Sequence, residues 1–185
     1  MKIIAFTGMP FSGKSEAVQI AKTHNIPVVR MGDLVWEETQ RKGRPLDDKN
    51  VGDVANTLRK QKGMNVWAKR TVQKIKTIKP STLLVIDGIR NTEEIDYFKK
   101  TLGNDFVVIA VTASDEVRWK RALSRGRTDD SKTLKDVKER DMREMRWGLP
   151  KVIAEADIVI ENDASLDELQ HQVTKILNHL AKAIS

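Results

Sequence analysis

The stretch Gly8-Met9-Pro10-Phe11-Ser12-Gly13-Lys14-Ser15 is the most informative part of this sequence. It matches the pattern G-x-x-x-x-G-K-[ST] at every fixed position, and it lies between an apolar run, Ile3–Phe6, and a helix-forming segment, Ser15–Ala21. Glycines at both ends allow the backbone to turn tightly, so that successive N–H groups point at one anion. The N-terminus of the following helix adds a partial positive charge. We therefore predict that residues 8–15, here called the phosphate loop, bind the phosphates of a nucleotide.

Three side chains are candidates for the chemistry of a nucleotide bound with Mg²⁺. Lys14 is expected to reach the β- and γ-phosphates, and the hydroxyl of Ser15 is expected to bind the metal ion. The second metal-side group should be an acid that ends a buried strand, and Asp87 follows the apolar run Leu83–Ile86 in this way. The alternative interpretation of Asp87 is the start of a turn, because Asp87-Gly88 is also a turn dipeptide.

On both sides of the phosphate loop, short β-rich runs alternate with segments of helical period. The β-rich runs are Lys2–Thr7, Pro27–Val29, Thr82–Asp87, Phe106–Thr112 and Asp157–Glu161. The helical segments are Lys14–Thr23, Asp33–Lys42, Asn50–Gln61, Val66–Ile78, Thr92–Leu102, Asp115–Ser124, Leu134–Arg146 and Leu166–Ile184. This alternation indicates a parallel sheet covered by helices on both faces. We therefore predict one domain, residues 1–185, of the α/β class: a three-layer α/β/α sandwich with a five-stranded parallel sheet.

Two stretches depart from simple alternation. Residues 31–79 hold three helical segments between two strands where one would suffice, and residues 121–147 are polar and rich in arginine. Ligands of open α/β sheets bind at the C-terminal ends of the strands, so insertions there can close over substrates. We predict that residues 31–79 are a helical acceptor-binding insertion and that residues 121–147 are a lid.

Composition excludes several kinds of site. The sequence has no cysteine, which excludes disulfides, thiolate zinc sites and cysteine nucleophiles. No apolar run approaches the ~20 residues needed to cross a bilayer, and the N-terminus has no signal-peptide pattern, so we expect a soluble, cytoplasmic protein that does not bind membranes. The net charge of +7 indicates either a phosphate-rich partner or a lysine-rich solvated surface. Because the lysines are spread along the chain without a recognition motif, nucleic acid is not the expected ligand.

Several short motifs resemble those of nucleotide and coenzyme kinases. Met31-Gly32-Asp33-Leu34 resembles the start of the monophosphate-binding helix of adenylate kinases, and Asp87-Gly88-Ile89-Arg90 resembles their Asp-Gly-Phe-Pro-Arg turn with one residue fewer. Arg121–Arg125 resembles the paired arginines that open their lid, and Arg127–Asp130, followed by Arg140, resembles the lid itself. Ala156–Leu166 is similar to the C-terminal strand and loop of dephospho-CoA kinases. Taken in order over nearly the whole chain, these motifs resemble an archaeal P-loop family related to both kinases.

The resemblance implies a set of roles that the residues alone do not establish. It implies that ATP is the phosphoryl donor and that Arg121 and Asn162 contact the nucleotide. It also places Asp33 and Arg90 on the acceptor side. Asp33 is the only candidate near the second strand for the aspartate that dephospho-CoA kinases carry there as a base.

Two positions depart from the adenylate kinase pattern. Met31 stands where adenylate kinases have a threonine that helps to hold adenine, and Trp36 stands where they have an arginine that holds the AMP phosphate. Arg30 or Arg41 could replace the missing arginine. For Trp36, packing within the insertion is the preferred interpretation, and stacking on an acceptor base is the alternative.

Arginine is the residue type that phosphoryl transfer needs most after the loop itself. Transfer requires alignment and positive charge around the moving phosphoryl group, and the planar guanidinium binds two phosphate oxygens at once. The candidates that could surround the γ-phosphate and acceptor, together with Lys14, are Arg90, Arg121, Arg125, Arg140 and Arg143. The alternative interpretation is that these arginines lie on solvated helix faces and pair with nearby glutamates.

The leading hypothesis from the sequence is a small-molecule kinase. It would use ATP and Mg²⁺ and transfer the γ-phosphoryl group to a nucleoside monophosphate or a dephospho-CoA-like acceptor. The alternatives are a nucleotide-dependent regulatory switch or slow ATPase without a small acceptor, and a basic ATPase associated with nucleic acid. The Asn-Lys-x-Asp motif of GTP-binding switches does not occur in the sequence.

Overall fold

The computed structural model describes residues 1–124 and 133–183. Its strands are β1 (Lys2–Thr7), β2 (Val28–Arg30), β3 (Leu83–Asp87), β4 (Phe106–Thr112) and β5 (Ile158–Glu161). Its helices are α1 (Lys14–Thr23), α2 (Met31–Arg41), α3 (Asp48–Lys62), α4 (Val66–Ile75), α5 (Thr92–Leu102), α6 (Asp115–Ser124), α7 (Leu134–Arg146), α8 (Leu149–Ala154) and α9 (Leu166–Lys182). A 3-10 turn, Gly103–Asp105, connects α5 to β4.

All five strands are parallel and lie in the order β2-β3-β1-β4-β5. The register brings Phe6 of β1 opposite Asp87 of β3, and Arg30 at the end of β2 also lies opposite Asp87. On the other side of β1, Thr7 lies opposite Ala110 of β4. The phosphate loop therefore leaves the central strand at the same sheet edge as Asp87 and Arg30.

Alternation along the central strand divides the core into two layers. Ile4 and Phe6 point to one face, where α1 and α9 cover the sheet. Ile3 and Ala5 point to the opposite face, where residues of α2, α3, α4, α5 and α8 cover it. This arrangement confirms the predicted three-layer sandwich around a five-stranded parallel sheet.

Several element boundaries differ from the sequence prediction by a few residues, the start of α2 among them, and one helix was not predicted. Helix α2 begins at Met31, directly after β2, because Met31 is buried and the chain passes from strand to helix without a loop. The prediction missed α8, whose six residues are too few to show a helical period. Pro150 lies in the first turn of α8, where a missing N–H is tolerated.

The predicted insertion and lid correspond to separate parts of the described chain. Helices α2, α3 and α4 follow β2 and pack against one another. Helices α6 and α7 flank the predicted lid loop, but Arg125, Arg127, Asp129 and Asp130 lie outside the described residues. Among the helices of residues 1–124 and 133–183, none is both long and apolar enough to cross a bilayer.

Candidate nucleotide-binding site

The two glycines of the phosphate loop occupy backbone positions that other residues would not tolerate. Gly8 has φ of 154° and Gly13 has φ of 102°. A Cβ atom on Gly8 would collide with the carbonyl oxygen of Val111, and one on Gly13 would collide with the Nδ2 atom of Asn162. The loop is therefore tightly enclosed from behind by β4 and by the residue that follows β5.

Phe11 is the strained residue of the loop. Its φ of 64° is in the left-handed region, which costs a non-glycine residue roughly 1–3 kcal/mol and persists only where neighbours impose it. The guanidinium of Arg140, on α7, lies 5.4 Å from the centre of the Phe11 ring. This distance permits a cation–π contact between α7 and the loop.

Side chains from two other segments, α6 and the residue that follows β5, hold the carbonyl oxygens of the loop. Arg118 Nη1 donates to the Pro10 oxygen at 2.9 Å, and Asn162 Nδ2 donates to the Ser12 oxygen at 2.8 Å. A longer contact of 3.4 Å joins Arg121 Nη1 to the same Ser12 oxygen. These bonds hold the carbonyl oxygens of the Pro10–Phe11 and Ser12–Gly13 peptide units in place, and so fix the orientation of both units.

Lys14 and Asp87 form an ion pair across the cleft. Burial lowers the pKa of Lys14 below its ordinary value of 10.5, an effect that the Asp87 carboxylate opposes. Arg30 Nε is 3.7 Å from the other carboxylate oxygen of Asp87. Asp87 therefore has cations on two sides.

The first turn of α2 contributes a second group of residues to the cleft. Arg30 contacts Asp33 at 3.4 Å, and its guanidinium lies 5.8 Å from the Trp36 ring centre. Trp36 is 45% exposed, so packing within the insertion covers only part of its surface. Gly32 is exposed, and a Cβ added to it would meet nothing within 4 Å.

Arg90 is held by two acidic residues from different helices. Its Nη1 donates to Glu144 of α7 at 2.7 Å, and its backbone N–H donates to Glu94 of α5 at 2.8 Å. Glu94 also accepts a bond of 3.2 Å from Arg59 of α3. Burial raises the pKa of Glu94 above its ordinary value, with Arg59 opposing the shift. The turn after β3 is thus joined to both the insertion and α7.

The phosphate loop and several of the residues around it enclose one cavity of about 610 Å³. Its wall includes every residue of the phosphate loop except Ser12, which is fully buried. The other predicted site residues in the wall are Asp87, Arg90, Arg121, Arg140 and Asn162. Asp33 does not line the cavity and reaches it only through Arg30, and Arg125 lies outside the described residues.

Two further arginines belong to this site, of which Arg30 was predicted as a possible acceptor-side arginine and Arg118 was not assigned a role behind the loop. Arg30 lines the cavity, whereas Arg41, the other proposed substitute for the missing adenylate kinase arginine, pairs with Glu38 outside it. Arg118 is 97% buried behind the loop. Its contact with Pro10 spans 108 positions of sequence, so no local pattern could have identified it.

The cavity also offers oxygen groups that fit a divalent cation. Ser15 and Asp87 both line it, and a hydroxyl with a carboxylate is the ligand type that Mg²⁺ prefers. Their positions at the end of the loop and at the end of the neighbouring strand match the pattern of P-loop proteins.

Sequence comparison relates the chain to known families. A family model described as an AAA domain (AAA_17) matches residues 7–138. A UPF0200/UPF0201 protein of Archaeoglobus fulgidus is 44% identical over 185 residues, 100% of this chain but only 57% of that protein. A UPF0200 protein of Methanosarcina barkeri is 41% identical over 179 residues, 97% of this chain and 96% of that protein. The chain therefore spans little more than half of the first relative and nearly all of the second.

Structural comparison finds the same fold in small-molecule kinases. A gluconokinase from Sinorhizobium meliloti superimposes with a TM-score of 0.60 and 16% identity, over 99% of this chain and 95% of that one. A shikimate kinase from Aquifex aeolicus gives a TM-score of 0.52 and 18% identity, over 97% and 98% of the two chains. At these identities the likeness concerns the fold alone.

Proposed function

The chain belongs to the UPF0200 family of archaeal P-loop proteins, as its motifs predicted, and from that membership and the geometry of the cleft we propose that it is an ATP-dependent small-molecule kinase. The acceptor in this proposal is a nucleoside monophosphate or a dephospho-CoA-like molecule. The comparisons themselves support a P-loop nucleotide-binding domain with a kinase-like fold.

The observation that carries the proposal is the extent of the cavity. The same wall that contains the phosphate loop continues past Asp87 to Arg30 at the end of β2 and Gly32 in the first turn of α2. A site for hydrolysis alone needs no such extension beside the metal-side acid. A second substrate does need one, because transfer requires the acceptor to lie in line with the γ-phosphate and water to be kept away.

On the donor side, each residue acts through charge or hydrogen bonding. Lys14 would bind the β- and γ-phosphates, and Arg121 and Asn162 lie beside the nucleotide. Ser15 and Asp87 would hold Mg²⁺, which would neutralise charge on the phosphate oxygens. Within the described residues the Nε atom of Arg140 has no hydrogen-bond partner, which supports a role for Arg140 as a phosphate ligand.

On the acceptor side, Arg30 is the main candidate for binding the anion of the acceptor, and Arg90 is the second candidate. Arg30 is about half exposed and lies between Asp87 and the Trp36 ring, so a phosphate could reach it without unfolding α2. Arg90 lines the cavity while its Nη1 is bonded to Glu144, so an acceptor would meet the remaining N–H groups of its guanidinium. The open face of Gly32 leaves room for a ligand against the α2 backbone.

The test is a screen of AMP, CMP, UMP, GMP and dephospho-CoA as acceptors, with ATP consumption and phosphorylated product both measured. We expect at least one acceptor to stimulate turnover. Arg30→Ala should raise the KM for that acceptor by roughly 10- to 100-fold, the scale of one lost hydrogen bond to a charged group. Arg44→Ala removes the same charge from an exposed position outside the cavity wall and should leave KM within about twofold, which makes it the matched control.

Gly32→Ala provides a second variant for the same assay. Alanine should stabilise α2 by about 0.5–1 kcal/mol, because its Cβ meets nothing in the protein, yet it should weaken the acceptor that packs there. Slow ATP hydrolysis that no acceptor and neither substitution changes would instead favour the regulatory switch.

A further inference from the structure

We propose that Arg118 and Asp141 form a positioning pair that sets the shape of the phosphate loop and ties it to α7. This inference rests on the proposed function only in requiring that the loop binds the phosphates of a nucleotide. Neither residue lines the nucleotide cavity, so both would act through the loop.

The pair is built from buried, bidentate contacts. The side chain of Arg118 is 4% exposed and that of Asp141 is 8% exposed. Two bonds join them, from Nη1 at 2.9 Å and from Nη2 at 2.7 Å. Nη1 also donates to the Pro10 oxygen at 2.9 Å. One guanidinium therefore joins a carboxylate of α7 to the backbone of the loop.

This contact fixes the direction of one peptide N–H. In a trans peptide unit the C=O and N–H bonds point in opposite directions, and the described residues contain no cis bond. Because Arg118 holds the Pro10 oxygen behind the loop, the N–H of Phe11 is directed away from Arg118, and Phe11 lines the nucleotide cavity. A charged donor on the carbonyl also polarises the same peptide unit, which makes its N–H a stronger donor to an anion.

The same contact explains how the strained backbone of Phe11 can be maintained. A φ of 64° at a phenylalanine needs neighbours that impose it. Arg118 holds the peptide unit that precedes Phe11, and Arg140 lies over its ring at 5.4 Å. Arg140 and Asp141 are consecutive residues of α7. The bonds between Arg118 and Asp141 therefore also hold Arg140 close to the loop.

The carboxylates around Arg118 provide a matched comparison. Asp141 is buried, whereas Asp115 contacts the same guanidinium at 2.6 Å with its side chain 67% exposed. Trp119 Nε1 also approaches Asp141, at 3.5 Å. Replacing each aspartate by asparagine changes one oxygen to nitrogen, so Asp141→Asn and Asp115→Asn differ in position and not in chemistry.

The experiment measures the affinity of the full chain for ATP and for inorganic tripolyphosphate by isothermal titration at 20 °C. We expect Arg118→Lys to weaken both ligands by roughly 10- to 100-fold, because lysine lacks the planar guanidinium that bonds both Asp141 oxygens and the Pro10 oxygen in a fixed geometry. Asp141→Asn should weaken both by about tenfold, and Asp115→Asn should stay within twofold of the natural protein. The ¹H–¹⁵N signal of the Phe11 amide should move in the first two variants and not in the third.

A purely structural role makes different predictions. The variants would then lose thermal stability, while those still folded at 20 °C would bind tripolyphosphate within twofold and keep the Phe11 amide signal unchanged. That result would overturn the inference and leave the proposed function intact. If Arg118→Lys does not fold, the comparison of Asp141→Asn with Asp115→Asn decides the question by the same criteria. Failure of the natural protein to bind ATP or tripolyphosphate would overturn both proposals.

Discussion

At the scale of single residues, Lys14 lines the cavity with its side chain mostly buried. Its ammonium is buried and its pKa is lowered by that burial, with the Asp87 carboxylate as its partner. A buried cation that faces a cavity is costly to the protein alone and becomes favourable when an anion arrives. In the proposed function, the lysine would therefore be prepared for phosphate before any ligand binds.

We expect Lys14→Ala to reduce ATP turnover by about two orders of magnitude or more, the loss typical of one transition-state electrostatic group. The circular dichroism spectrum should stay unchanged. Lys22→Ala, at an exposed position of α1, is the control and should keep full activity. Turnover close to that of the natural protein in Lys14→Ala would show that the phosphate loop is not the reaction site.

Sequence could predict the residues that act within one motif and could not predict those that act across the fold. The loop from Gly8 to Ser15 follows a fixed spacing, and Asp87 was inferred because a strand end needs such an acid there. Arg118 could not be inferred, because its partners Pro10 and Asp141 meet it only after folding. In sequence it resembles one half of a surface pair with Asp115, three residues earlier.

At the scale of elements, helices α2 and α4 are joined by one buried carboxylate. Glu38 is 95% buried and accepts bonds from Arg41 at 2.6 Å and 3.0 Å and from Arg70 at 3.0 Å. The two bonds from Arg41, together with the bond from Arg70, lower the pKa of Glu38 to about 2. Burial opposes this shift. This carboxylate fixes the helix that carries Gly32 and Trp36.

The pH dependence of this contact follows from the sign of the pKa shift. Because the folded pKa lies below the ordinary value of 4.5, the ionised carboxylate stabilises the fold above about pH 4.5, and this contribution is lost as the pH falls toward 2. We expect Glu38→Gln to lower the free energy of unfolding by about 1–3 kcal/mol at pH 7. The difference from the natural protein should shrink below pH 4.5.

Urea unfolding at several pH values measures this difference. Glu37→Gln, at the exposed neighbouring position, is the control and should show little effect at any pH. A stability difference for Glu38→Gln that is equal at pH 7 and pH 2.5 would mean that packing, and not charge, joins α2 to α4.

Most elements were predicted from periodicity, and the exceptions have local causes. Strands β1 and β4 and helices α1, α5, α6 and α7 have the predicted limits, because each combines a clear period with turn residues at both ends. Helix α8 was missed because it makes fewer than two turns. The start of α2 was placed two residues late, at Asp33, because an acidic residue is common in a first helical turn.

At the scale of the whole molecule, the net charge of +7 does not form a nucleic-acid site by itself. Several arginines are already paired with acidic residues inside the fold: Arg41, Arg59, Arg70, Arg90 and Arg118. We therefore expect only weak binding of single-stranded DNA or RNA that falls steeply with salt. A filter-binding titration checks this, and sub-micromolar affinity at physiological salt would contradict it.

The strand order has a consequence for how such proteins diverge. Since β1 lies in the middle, the chain between β2 and β3 approaches the cleft from one side, and the chain between β4 and β5 approaches from the other. A substitution in residues 31–82 can thus alter one half of the cleft while the loop and its supports, on α6 and directly after β5, are inherited unchanged. We expect descendants of a common ancestor to have accumulated changes fastest in that segment. New specificities would then arise by drift and selection in one exchangeable part of the gene.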